Sequence, residues 1–449
     1  MNGNPGADTA FAPYLCWMNG EGKGAYGMNS TREIVLPYGK QEVTGHLPDA
    51  NLENVYVPQA MEACSDPVAE IRKALAEPLD TPPLRDIVQP DDRVVILVDD
   101  HTRTTPAATI LPLILDSLRA GGIEDQDVTI LVTHGTHRLS TEEEVRRKVG
   151  DQVYENFHIA QHSCTDEQDQ VYVGLTSRGT PVWINRLVAE ADRCIGIGHV
   201  GPSPYAGYSG GSKLILPGVA ALDTINANHS FVALGFRQPG RMEGPCRQDI
   251  QEAGAMFPMD LVLDVVLCQD EGIARVFAGT PDRVLEEGVA FARRVYEVPC
   301  PRGLDIAFTA GHPYDIDLYQ AVRAVEYADA VVREGGSIVL VAACPEGVGG
   351  DDFYHLMADQ DKTPDDYLRD VVRRNGKVTF SVLGYCLARI KREKNLYIVT
   401  DGIAERDLAA MGWQYLSSLQ HGIDVLLEEY GSQARAGIFP LGSATIPGS

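Results

Sequence analysis

Three short polar stretches of this chain carry the residue types that acid–base and ligand chemistry needs. Asp99-Asp100-His101-Thr102-Arg103 combines two carboxylates, an imidazole and a guanidinium, and His134-Gly135-Thr136-His137-Arg138 adds two imidazoles and another guanidinium. The third, Gly198–His229, reads GHVGPSPYAGYSGGSKLILPGVAALDTINANH and holds six glycines, a single lysine, Lys213, and a histidine near each end, His199 and His229. Imidazole exchanges its proton near neutral pH and also ligates metals, so histidines beside carboxylates suit general acid–base work. Glycines at this density let the backbone take positive φ and come close to a bound group. The loop is not a phosphate-binding P-loop. Counting from Gly207, the sixth position is Ser212 and the residue after Lys213 is Leu214, so both the second glycine and the metal-binding hydroxyl are missing.

Each cluster also has a bland reading. Asp99, Asp100 and Arg103 could cap the helix that follows, His134 and His137 could satisfy turn backbone, and Thr141–Glu144 has the spacing of a capping box. The elements around them favour function. Arg93–Val98 (RVVILV) and Asp127–Thr133 (DVTILVT) are apolar, β-branched runs of the kind buried on both faces of a parallel sheet, and Arg193–Ile197 leads into the glycine-rich loop. Ala107–Ala120 is helix-periodic and closes at Gly121-Gly122. Strand, polar loop and helix thus repeat, and the polar loops follow the carboxyl ends of strands, where open α/β sheets bind ligands.

Further along, REIVLPYGKQEVTGHL from residue 32 has the alternation of a β-hairpin, and Asp66–Leu75 reads as a short helix. A second block starts near Pro301, with LDIAFTA, SIVLVAA and NLYIVTDG as strands and Asp317–Glu334 and TPDDYLRDVVRRNG as helices. The segment from about Arg241 to Pro301 reads as a bridge containing one strand, MDLVLDVVL. The expected fold is two α/β domains with largely parallel sheets and an active-site cleft between them: 30–300 as the cofactor-binding catalytic domain and 301–449 as a domain closing over the substrate. Residues 1–29, rich in Gly, Asn and Ala, read as a poorly ordered extension, and Met28 could serve as an initiation site.

Composition narrows the partners. With 449 residues and 44% hydrophobic content the chain can bury substantial cores, and a net charge of −25 disfavours nucleic acid and anionic membrane surfaces. No apolar run approaches the roughly 18 residues of a membrane span. Nine scattered cysteines without a C-x-x-C pair read as reduced thiols of a cytoplasmic protein and make a cysteine zinc site improbable.

Taken in order, D-H-T-R at 100–103, G-T-H-R at 135–138, A-G-Y-S-G-G-S-K at 206–213, L-P-G at 216–218, A-N-H-S at 227–230 and Y-Q-A-V-R at 319–323 resemble the nickel-pincer-dependent lactate racemase family, from about Thr31 to the C-terminus. The resemblance implies a nickel-pincer nucleotide joined covalently to Lys213, with Gly210 and Gly211 letting the backbone approach it and His229 completing the nickel coordination. It implies a racemase or epimerase that moves a hydride from C2 of a 2-hydroxy acid to the cofactor and back through a planar 2-keto acid. His137 resembles the family's catalytic histidine, Arg103 its substrate-holding arginine with Asp100 as companion, and Gln320 and Arg323 a glutamine and a lysine of the second domain. Arginine in place of lysine keeps a carboxylate grip with altered geometry. Proteins that build the cofactor would be its partners.

One position departs from the pattern. The family's second catalytic histidine lies ten residues before the tethered lysine, and here that residue is Ser203. Serine is a poor base near neutral pH. Either another group, His199 or His134, serves that face, or the substrate is larger than lactate and follows a different course. The rival reading is a non-catalytic protein that binds or carries the pincer cofactor, and a third is a nickel-free α/β protein using the loop for an ordinary phosphate ligand. The presence of Arg103, His137, Gln320 and Arg323 favours the enzyme.

Overall fold

The structure is a computed structural model that describes residues 30–233, 239–374 and 376–448. The expected N-terminal extension lies outside the described residues. The chain forms two α/β units, one made of Met61–Arg294 with Leu368–Val382, the other of the residues up to Ala60, Val295–Tyr367 and Leu383 onward.

The first unit is built on a six-stranded sheet in the order Ile273–Gly279, Leu261–Leu267, Arg193–His199, Val94–Asp99, Val128–Thr133, His158–Gln161. Only the Leu261–Leu267/Ile273–Gly279 pair is antiparallel. The central Val94–Asp99 strand is buried along its whole length, as its unbroken apolar run predicts. Each such Val, Ile or Leu contributes roughly 1.5–3 kcal/mol by leaving water. The Ala107–Ala120 helix lays Ile110, Leu111, Ile114 and Leu118 on this core, and the Pro67–Ala76 helix, capped by Asp66, adds Ile71 and Leu75. From Val94–Asp99 the chain steps outward through Val128–Thr133 to His158–Gln161, then returns to the opposite side with Arg193–His199. That reversal makes the carboxyl ends of Val94–Asp99 and Arg193–His199 the switch point of the sheet, the place where such sheets hold ligands.

The second unit has its own six-stranded, all-parallel sheet in the order Gln414–Leu416, Asn395–Val399, Val332–Val341, Leu304–Ala310, Ala436–Phe439, Leu52–Val55. The hairpin Thr31–Tyr38/Gln41–Pro48 turns at Gly39, whose φ of 58° suits glycine, and buries Ile34, Leu36 and Leu47 against Phe308 and Ile306 of this sheet.

Three expectations change. The units do not divide at residue 300: the hairpin and Leu52–Val55 belong with the C-terminal sheet because their apolar faces and a strand edge are satisfied there. The Arg241–Pro301 segment is no bridge, since Leu261–Leu267 and Ile273–Gly279 are strands of the first sheet. Asp317–Glu334 is not one long helix but two short ones, Leu318–Ala321 and Arg323–Ala328, before the chain enters the sheet at Val332.

Candidate active site

The switch point collects the polar clusters of the first unit. Val94–Asp99 ends in two consecutive carboxylates, and because successive residues of an extended chain diverge, each serves a different histidine. Asp100 accepts at Oδ2 from His137 Nδ1 at 2.6 Å and at Oδ1 from the Thr102 amide (2.8 Å) and Thr102 Oγ1 (2.6 Å). Only 2% exposed, it nevertheless stays ionised well below the usual carboxylate range: burial opposes its charge, but His137, His134 and Arg103 outweigh it. Asp99 makes the second pair, its Oδ2 lying 3.3 Å from His199 Nδ1 and accepting from Thr105 Oγ1. Thr105 Oγ1 also stands 2.9 Å from His199 Nδ1. Burial raises the Asp99 pKa, yet Lys148 and His199 bring it below its ordinary value.

The helix-cap alternative fails for both carboxylates: Pro106 stands at the start of Ala107–Ala120 with no side-chain cap. Thr141 and Glu144 do form the reciprocal capping box that their spacing predicts. Arg103 leans on Thr102, its Nη1 donating to Thr102 Oγ1 at 2.8 Å.

The two histidines open as stand-ins at the Ser203 position differ in access. The His134 side chain is fully buried and its Nε2 is spent on Gln161 Oε1 at 3.0 Å. His199 engages only Nδ1, keeps 7% exposure, and its Nε2 edge lies beside Gly201, in the loop that leads to Ser203. Burial lowers the His199 pKa, so the ring rests neutral, able to accept a proton.

The glycine-rich loop is shaped by its own packing. Gly210 and Gly211 sit at φ 94° and 57°, and a Cβ on Gly210 would meet Asp264 Oδ2 at 2.7 Å and Val200 Cγ2 at 2.8 Å. Asp264 Oδ2 accepts from the Gly211 amide at 2.7 Å and so fixes the short turn Gly211–Leu214 that carries Lys213. Burial pushes the Asp264 carboxyl up to about 7. Arg247, fully buried, ties the loop from behind by donating to the carbonyls of Ala206 (3.0 Å) and Tyr208. Lys213 Nζ donates to Ser203 Oγ at 3.0 Å. His229, on Leu222–Ala233, donates from Nδ1 to the Ile225 carbonyl at 3.1 Å and meets the Tyr205 ring edge-on, which leaves Nε2 as the unprotonated nitrogen. Among the described residues no group of three or more His, Cys, Asp or Glu could hold a metal by itself.

In the second unit Gln320 and Arg323 touch. Arg323 Nη2 donates to Gln320 Oε1 at 2.6 Å while its guanidinium stacks 3.9 Å over Tyr314. Asp317 caps the Leu318–Ala321 helix through the Gln320 amide at 2.7 Å. Residues beyond those expected from sequence are Thr102, Thr105, Lys148, Asp264 and Arg247. Of these only Thr102 and Thr105, inside the polar DDHTRTTP run, carried any local signal.

Comparison with known proteins finds matches to both halves of the chain. Residues 38–238 match the lactate racemase N-terminal domain and 301–446 the lactate racemase C-terminal domain. The chain is 31% identical to the lactate racemase of Lactiplantibacillus plantarum over 422 residues, covering 92% of this chain and 99% of that one. It is 30% identical over 376 residues to the lactate racemase of Thermoanaerobacterium thermosaccharolyticum, covering 82% and 88%. The structure of the latter's apoprotein superposes with a TM-score of 0.84 at 27% identity, over 93% of this chain and all of that one. A Thermotoga maritima protein shares the fold at a TM-score of 0.69 and 16% identity, over 85% and 98%. With both domains matched in order and three-tenths identity held along most of its length, the chain belongs to the lactate racemase family, and is thereby an isomerase.

Proposed function

We propose that the protein is a racemase or epimerase of a 2-hydroxy acid that works with a nickel-pincer nucleotide carried on Lys213. The observation that carries this reading is the presence of two Asp–His pairs, Asp100–His137 and Asp99–His199, side by side at the switch point. Inverting a carbinol centre requires a base for the hydroxyl proton of each configuration, and two buttressed imidazoles meet that need. A protein that only carries the cofactor has no use for them.

The residues present fit the cofactor. Lys213 supplies a primary amine for the tether, on a turn fixed by Asp264. His229 offers Nε2 because its Nδ1 proton is held by Ile225. When bound, the nucleotide would supply reversible acceptance of hydride from C2, with a 2-keto acid as the planar intermediate. His137 takes the hydroxyl proton of one configuration, with Asp100 holding its Nδ1 proton, and His199 serves the other in place of the missing histidine. Asp100 has its oxygens occupied by Thr102 and His137, which favours a positioning role over direct substrate contact. Arg103, and from the second unit Gln320 and Arg323, are assigned to the substrate carboxylate on the resemblance. Ser203, smaller than histidine, favours a substrate larger than lactate.

The test is a panel of hydroxy acids offered to nickel-loaded protein produced with the cofactor-making proteins, read by chiral chromatography and by nickel content. Configurational exchange at C2 is expected. Nickel-loaded protein carrying the adduct but inactive on every member would return the reading to a carrier. The eight free cysteines among the described residues fit a reducing, cytoplasmic setting, and no helix there is long and apolar enough to cross a membrane.

A further inference from the structure

Lys148 sits on the Glu142–Val149 helix, in a stretch (EEEVRRKV) where Glu142, Glu143 and Arg147 point to solvent. It does not. Its side chain is only 7% exposed, and its ammonium reaches Asp99 Oδ1 at 2.5 Å and donates to the Arg103 carbonyl at 2.9 Å. Taking a lysine out of water is unfavourable unless a partner compensates, so a buried ammonium on a site carboxylate calls for a functional account. Asp99 thus divides its two oxygens, Oδ1 to Lys148 and Oδ2 to Thr105 and His199.

We propose that Lys148 is a positioning residue for the second acid–base group: it fixes the Asp99 carboxylate so that His199 keeps its proton on Nδ1, presents a bare Nε2, and remains neutral between turnovers. The inference deepens the proposed function and rests on His199 being the second base. An Asp–His pair alone favours imidazolium, because the carboxylate attracts the positive ring. Burial already disfavours the charged ring, and a cation on the far oxygen offsets part of the carboxylate's attraction, so the carboxylate can orient the ring without charging it. The groups facing His199 are Asp99 from its own strand, Arg103 from the loop after it, Lys148 from the helix, and Asp264 from the neighbouring strand acting through Asp99. Lys148 also grips the carbonyl of Arg103, so one ammonium sets both the orientation of the second base and the backbone of the arginine assigned to the substrate. The first pair needs no such cation, since Thr102 occupies the corresponding oxygen of Asp100 with two neutral donors.

The experiment is a ¹⁵N-histidine NMR titration of the full-length protein, with the His199 signals identified by their loss in His199→Gln, alongside kcat/KM against pH for the nickel-loaded enzyme. In the unaltered protein His199 should show the Nδ1-protonated neutral form at pH 7. Lys148→Met should raise its titration midpoint by about one pH unit or more, since removing a neighbouring cation favours imidazolium. The acid limb of kcat/KM should rise with it, and Lys148→Arg should restore both. A Lys148→Met protein that loses thermal stability while His199 titrates as before would overturn the proposal. Should that variant not fold, Lys148→Gln answers the same question: a raised His199 midpoint supports the proposal, and an unchanged one refutes it. Full activity in His199→Gln, with the titration shift intact, would remove His199 from catalysis while upholding the link from Lys148.

Discussion

Replacing Asp100 by Asn changes charge and donor pattern at one atom while keeping shape. Asn Oδ1 can still accept from the Thr102 amide and hydroxyl, so the loop should hold. At Oδ2, where His137 Nδ1 now donates across 2.6 Å, an amide NH₂ would instead donate and push the ring proton to Nε2, the nitrogen that must be bare to accept the substrate proton. The imidazolium that the proposed role would form on His137 would also lose its counter-charge. With charge centres about 4 Å apart and an effective dielectric of about 20, that attraction is about 4 kcal/mol, or about three decades in rate. A fall in kcat of about 10²- to 10⁴-fold is expected, with KM and nickel content little changed. The assay is turnover of each configuration separately, normalised to nickel. Haldane's relation supplies an internal control: for two enantiomers the equilibrium constant is one, so kcat/KM must fall equally in both directions. Because folding depresses the Asp100 pKa, its ionised form adds stability above about pH 4 that is lost on acidification through the folded value, and Asn should flatten that acid limb of the thermal midpoint. Activity within threefold of the parent at equal nickel content would refute the role given to this pair.

Further outcomes test the cofactor and substrate assignments. Peptide mapping of active, nickel-loaded protein should place a covalent adduct on Lys213, and His229→Ala should lose nickel while keeping its thermal midpoint; an adduct on another lysine would sink the assignment. Arg323→Lys should alter KM and rank order across the hydroxy-acid panel more than stability, and an unchanged ranking counts against a substrate contact. Asp264, raised to about 7 by burial, contributes stability that is full below about pH 4 and is lost as pH rises through 7. Asp264→Asn keeps the acceptor for the Gly211 amide and should remove that slope, a gain of at most about 4 kcal/mol near pH 8; a thermal midpoint whose slope between pH 4 and 7 matches the parent would show that the carboxyl is not protonated there.

What could be read from sequence was local. RVVILV and DVTILVT announce themselves because a strand buried on both faces tolerates nothing polar, and Thr141–Glu144 because a capping box is written in four consecutive residues. Asp317–Glu334 misled because YQAVRAVEYADAVV satisfies helical periodicity up to Val332, whose burial belongs to a strand, and apolar runs of that length do not distinguish the two. The discontinuous division of the chain was hidden for a different reason: Leu52–Val55 finds its edge on Ala436–Phe439, a pairing that no local pattern encodes. The site shows the same split. Its histidines and carboxylates were visible as types, but their pairing was not, since Asp100 meets His137 and Asp99 meets His199 only once the sheet brings separate strand ends together. Lys148 was invisible altogether, for nothing in EEEVRRKV distinguishes the one lysine that turns inward.

The serine at 203 bears on how the proposed reaction would run on its second face. Its hydroxyl accepts from Lys213 at 3.0 Å, so in the free protein it holds the amine that the tether would consume. Acylation of that amine would remove its positive charge and most of its donors, and would release Ser203 toward whatever occupies the site. A serine there cannot take a proton at neutral pH, but it can hydrogen-bond a further hydroxyl of the substrate. If His199 has taken over the lost base, His199→Gln should cost about as much as His137→Gln, about 10²-fold or more, and Ser203→His should not raise the rate on the preferred substrate. If instead a substrate hydroxyl relays the proton, His199→Gln should be mild, polyhydroxylated acids should outrun lactate, and the reaction is epimerisation, with kcat/KM values in the ratio of the diastereomers' equilibrium constant. Lactate as the best substrate, together with indifference to His199→Gln and Ser203→His, would falsify both, because neither imidazole nor substrate hydroxyl would then stand on the second face.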